Sequence, residues 1–132
     1  MSDQFDISGL LADAVARGAS DLHLIPGIPP IARVSGEIGA LPYPPMSADL
    51  ISQLLEPYID EYQRQIFKQD MRLNFSISLE GIGRFRFNVY MATGAVGATI
   101  RLIPNKIMPL AALGLPTIVG NLAHKKSGII FI

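Results

Sequence analysis

Cysteine is absent from the 132-residue chain, which excludes a disulfide scaffold, a thiolate zinc site and a thiol nucleophile. A surplus of either charge is absent too, with 11 basic against 11 acidic side chains. A nucleic-acid binder carries a basic excess, and so does a polybasic membrane-surface protein, so neither partner is expected. Charge is sparse altogether, 17% of residues against about 25% in an average domain. Long hydrophobic runs are missing as well. The longest late charge-free stretch, residues 107–123, is broken by Pro109, Gly114, Pro116 and Gly120 and falls short of the roughly 20 residues that span a bilayer. The amino terminus is acidic where a secretory signal is basic and then greasy. These absences point to a cytoplasmic domain without membrane insertion, with apolar surface meant for a partner.

Familiar catalytic patterns are lacking. There is no Ser/His/Asp arrangement, no paired-carboxylate site, no HExxH helix and no GxxxxGK[ST] phosphate loop. Asp21 and His23 alternate on one short strand, but with no further histidine near them they read as ordinary strand residues, not as metal ligands. His124-Lys125-Lys126 reads as a solvated loop.

What is present is a set of periodic segments. Ile7, Leu10, Leu11, Ala14 and Val15 form one stripe of an amphipathic helix, capped by Asp6 and ended at Gly18. Residues 21–25 and 31–38 read as strands around a proline turn, with a bend at Gly36, and residues 39–46 as a loop. Ser47 caps a second helix that Pro57 interrupts, and a third begins near Asp60. From Arg72 to Leu102 apolar and polar residues alternate, the period of half-buried strands. The turns at Gly81-Ile82-Gly83 and Thr93-Gly94 divide this stretch into a three-stranded antiparallel meander. Residues 128–132, Gly-Ile-Ile-Phe-Ile, form an unbroken β-prone run of the kind buried on both faces in a parallel sheet.

Turn geometry maps the polar face of the meander. A three-residue loop at 81–83 pairs Glu80 with Arg84, and a slip by two leaves the same residues on that face. A two-residue turn at Thr93-Gly94 places Arg86 opposite Arg101, or near it on the same face if this register too slips by two, with Arg84 one step along and Glu80 as the nearest carboxylate. Like charges directly opposed on a sheet are destabilising. Two readings follow: a phosphate site, since guanidinium groups bind phosphate oxygens through a planar fork of donors, or arginines spread into water with their stems covering the sheet.

Several segments together, Gly18-Ala19-Ser20-Asp21-Leu22-His23-Leu24, Pro29-Pro30-Ile31-Ala32-Arg33-Val34-Ser35-Gly36, Gly83-Arg84-Phe85-Arg86-Phe87-Asn88 and Ile100-Arg101-Leu102-Ile103-Pro104-Asn105-Lys106, resemble the type IV pilus retraction (PilT/PilU-type) ATPases of the secretion ATPase superfamily. Leu113-Gly114-Leu115-Pro116 and Lys126-Ser127-Gly128-Ile129-Ile130-Phe131-Ile132 continue the likeness in the family's order. The resemblance implies an α+β fold: a PAS-like domain over residues 1–103, its antiparallel sheet packed against helices. Residues 104–132 would then be a linker and the first strand of a RecA-like core, ending just before the Walker A loop. It implies ATP and Mg²⁺ as cofactors of the parent protein, with no catalytic residue and no metal ligand within these residues and no activity of the fragment alone. It implies Arg86 and Arg101 as arginine-finger contacts to nucleotide phosphate, with Arg84 in support. The partners implied are the chain's own RecA-like core, the neighbouring subunits of a homohexamer, and the pilus platform protein at the inner membrane face of the cytoplasm. The alternatives are a stand-alone PAS-like sensory or adaptor module, and the amino-terminal domain of a pilus-assembly or type II secretion ATPase.

Overall fold

The alternation from Arg72 onward folds as its period dictates. In the computed structural model, which describes residues 6–103 and 110–131, it forms strands β4 (Arg72–Leu79), β5 (Gly83–Ala92) and β6 (Ala95–Ile103). Three earlier strands join them: β1 (Ala19–Leu24), β2 (Ile31–Val34) and β3 (Glu37–Ala40). All six lie in one antiparallel sheet of order β3-β2-β1-β6-β5-β4. Helices α1 (Ile7–Ala16), α2 (Ala48–Leu55) and α3 (Glu61–Asp70) accompany the sheet, and a short helix α4 (Ile118–Leu122) lies in the later segment. The fold is α+β.

Helices α1, α2 and α3 each carry the start signal their sequence announces. Asp6 accepts from the Gly9 amide at 2.8 Å, Ser47 from the Leu50 amide at 3.1 Å, and Asp60 with Gln63 closes a reciprocal capping box. The stripes of α1 and α2 bury Ile7, Leu10, Leu11, Ala14, Ile51, Leu54 and Leu55 against Leu22, Leu24, Phe85, Phe87, Val89, Ala98 and Ile100 from the sheet. Phe75 stacks on Phe87 with ring centroids 5.0 Å apart, and Tyr58 stacks on the same ring. Burying a large apolar side chain fully contributes about 1.5–3 kcal/mol, so these residues fix which sheet face turns inward. A one-residue slip of β5 would expose Phe85 and Phe87 and bury Arg84 and Arg86.

Two local expectations are corrected. Residues 31–38 are not one bent strand but two, because Ser35 (φ 52°) and Gly36 (φ 82°) adopt the left-handed pair that a tight hairpin requires, and β3 runs on to Ala40. The β4–β5 register lies two residues from a Glu80–Arg84 pairing. Leu79 pairs with Gly83 and Ser76 with Arg86, since Gly81 (φ 78°) takes the left-handed position inside a loop of residues 80–82. Residues 128–131 pair with no strand among the described residues and leave Ile129, Ile130 and Phe131 exposed. β-propensity makes no ladder without neighbouring strands to bond.

Candidate functional site

With the helices on one face, the other face of the sheet presents the polar residues of the alternation. Register places them in rows across the strands. In one row Arg33 of β2 pairs with Asp21 of β1, Asp21 with Arg101 of β6, Arg101 with Arg86 of β5, and Arg86 with Ser76 of β4. The next row on the same side runs His23, Thr99, Asn88, Asn74. The two-residue turn at Thr93-Gly94 has Ala92 opposite Ala95 and both turn residues at positive φ, which sets the Arg86–Arg101 pairing.

Arg86 and Arg101 are thus cross-strand neighbours, both exposed. Arg84 stands two residues from Arg86, opposite Ile103, where it lines a cleft with Gly18, Ala19, Ser20, Ile82 and Leu102. Neither Arg84 nor Arg86 has a hydrogen bond or an ion pair among the described residues. Arg101 differs. Its Nε donates to Asp21 Oδ1 at 3.1 Å, while its side chain is still 73% exposed. Asp21 Oδ2 faces Arg33 Nε at 3.7 Å and accepts from Ser20 Oγ at 3.0 Å. Burial works against the charge on Asp21. The hydrogen bonds from Arg101 and Ser20, with the positive charge of Arg101, outweigh that and hold the carboxyl below its ordinary pKa.

Glu80 is therefore not the carboxylate that matters to this row; Asp21 is. Nothing local in the sequence announces it, because β1 reaches β6 only through a pairing about eighty residues long in the chain. The one available signal is the Asp21–His23 alternation, which puts both side chains on one face. His23 Nδ1 lies 3.4 Å from Thr99 Oγ1. Asn88 Oδ1, in the same row, is buried and has no hydrogen-bond partner among the described residues.

Chemically, the row is a sheet surface with a local excess of guanidinium donors and a single carboxylate among them. Guanidinium forks of this kind match the geometry of an oxyanion with several oxygens. Among the described residues no group of three or more His, Asp or Glu is arranged to hold a metal ion. No helix among them is long and apolar enough to cross a membrane.

No family model matches the chain. Individual proteins do. The type IV pilus retraction ATPase PilT of Pseudomonas aeruginosa is 32% identical over 127 residues, covering 96% of this chain and 37% of that protein. The type IV pilus ATPase PilU of the same organism is 35% identical over 121 residues, covering 92% of this chain and 32% of that protein. Among solved structures, the pilus retraction motor PilT with bound ADP superposes with a TM-score of 0.79 at 35% identity, over 92% of this chain and 36% of that one. The Legionella pneumophila ATPase DotB shares the fold, with a TM-score of 0.66 at 20% identity. The fold is therefore one that the pilus retraction motor PilT and the ATPase DotB carry. More narrowly, the chain is homologous to the amino-terminal part of the type IV pilus retraction ATPase PilT and of the type IV pilus ATPase PilU. It spans about a third of the length of those relatives.

Proposed function

We propose that this chain is the amino-terminal module of a hexameric ATPase that powers pilus retraction, and that Arg86 and Arg101 contact the phosphates of ATP held by a RecA-like core. The observation that carries the reading is the direct opposition of these two arginines on the open sheet face. A sheet optimised for stability alone would not place like charges there. Residues 1–103 form the PAS-like arm, and residues 104–132 lead into the core, whose phosphate loop and Mg²⁺ ligands lie in the rest of the parent protein. Nucleotide binding draws the arginine face onto the phosphates. Hydrolysis releases it, a hinge motion between two lobes. Arg84, at the hairpin end of the face, adds positive charge without touching the transferring group. Neighbouring subunits of the hexamer and the pilus platform protein at the cytoplasmic face of the inner membrane are the partners of this motor.

The arginines' contact counts most in the transition state, whose charge an arginine finger stabilises. Arg86→Ala and Arg101→Ala in the full-length protein therefore lower turnover about 10³-fold or more while ATP affinity changes far less. Steady-state ATPase assays with parallel nucleotide-binding titrations check this. Turnover unchanged in both variants would overturn the phosphate role.

A further inference from the structure

The proposed phosphate role treats Arg86 and Arg101 alike, but the structure treats them differently. Arg101 is tethered through Nε alone; its two terminal nitrogens have no hydrogen-bond partner among the described residues. Its anchor, Asp21, is 8% exposed and is itself held from two further directions, by Ser20 and by Arg33. A β-bulge lies between Ala19 and Asp21, where Ala19 pairs with Val34 and Asp21 with Arg33, so Ser20 is the extra residue. Bulges re-aim side chains, and this one brings the Ser20 hydroxyl onto the carboxylate.

We infer that Asp21 is a positioning residue: it fixes the Arg101 guanidinium by its Nε edge, so that both terminal nitrogens stand ready beside Arg86 for a phosphate-type oxyanion. This rests on the phosphate reading of the arginine face and adds to it a residue outside the meander. A free arginine must lose side-chain freedom on capturing an anion, at a cost of about 0.5–1.5 kcal/mol, which corresponds to roughly a two- to ten-fold loss of affinity. Asp21 removes that cost in advance. Its negative charge also repels an incoming anion, but that long-range effect is screened at high salt, whereas the fixed geometry is not.

The test uses the 132-residue chain with tripolyphosphate as probe, in about 0.5 M NaCl, followed through the arginine Nε–H signals by nuclear magnetic resonance. In the parent chain the Arg101 Nε–H signal stands apart and exchanges slowly, while that of Arg86 resembles free arginine. Asp21→Asn collapses the Arg101 signal toward the free position and weakens tripolyphosphate binding by roughly two- to ten-fold. In an Arg101→Ala background the same substitution has no further effect on binding. Ser20→Ala, which loosens the same carboxylate without removing it, gives a smaller loss in the same direction and serves if Asp21→Asn fails to fold. Binding that is unchanged or tighter in Asp21→Asn, while Arg86→Ala and Arg101→Ala weaken it, overturns the positioning role alone. No response of the parent chain to tripolyphosphate overturns this inference, whereas the phosphate reading itself falls only if turnover of the full-length protein is unchanged in Arg86→Ala and Arg101→Ala.

Discussion

Replacing Arg86 with threonine should make the isolated chain more stable. Arg86 directly opposes Arg101, and cross-strand pairs contribute about 0.2–1 kcal/mol, with like charges on the unfavourable side. Coulomb's law gives the same scale: two unit charges about 5 Å apart in water repel by about 0.8 kcal/mol, less as the exposed side chains splay. Arg86 has no ion pair among the described residues to offset this, and threonine suits a strand. The expected gain is about 0.5 kcal/mol, which for a domain of this size raises Tm by about 2 °C. Arg101→Thr removes the same repulsion but also removes the Nε bond to Asp21, so it brings no gain. Urea unfolding of both variants at about 20 mM and 500 mM NaCl reads the difference as a midpoint shift at constant slope. The Arg86→Thr gain should shrink at the higher salt, because the repulsion is screened. Destabilisation by Arg86→Thr, or a gain independent of salt, would refute the claim that this pair is kept at the expense of stability.

Three further outcomes follow from the same sheet and its packing. A Cβ at Gly97 would lie 2.9 Å from the ring of Tyr90, its cross-strand partner. Gly97→Ala therefore displaces that ring and costs about 1 kcal/mol, whereas in a Tyr90→Ala background it is neutral or stabilising; paired thermal melts check this. Phe87, fully buried and stacked on two rings, loses about 3–5 kcal/mol of stability on substitution by alanine, measured by urea unfolding. The carboxyl of Asp21 titrates lower in the folded chain than in the unfolded one. Its stabilising contribution is therefore fully present above the unfolded value near about 4 and is lost as pH falls through the lower folded value. The stability difference between the parent chain and Asp21→Asn should be flat above about pH 5 and shrink below about pH 4, as unfolding curves across that range would record.

How far the residues disclosed this structure depends on the distance over which each feature is determined. The helix starts at Asp6, Ser47 and Asp60 are local, and each cap forms as its side chain dictates. The shared face of Arg86 and Arg101 was legible because the Thr93-Gly94 turn is short, and the folded sheet makes the pair direct neighbours. The β4–β5 hairpin was less so: Gly81 and Gly83 both tolerate positive φ, and the choice between them shifts every pair by two without changing faces. β1 could not be placed. Its four alternating positions say that it is half-buried, not that it lies between β2 and β6. Asp21 therefore read as an ordinary strand residue, and its bond to Arg101 emerges only from the folded sheet.

The most direct test is a structure of the full-length protein with a non-hydrolysable ATP analogue and Mg²⁺. The account predicts terminal nitrogens of both Arg86 and Arg101 at hydrogen-bond distance, about 3 Å, from the phosphate oxygens, with Arg101 still tied to Asp21. A nucleotide whose phosphates are contacted only by other residues, with this sheet face turned to solvent, would contradict it.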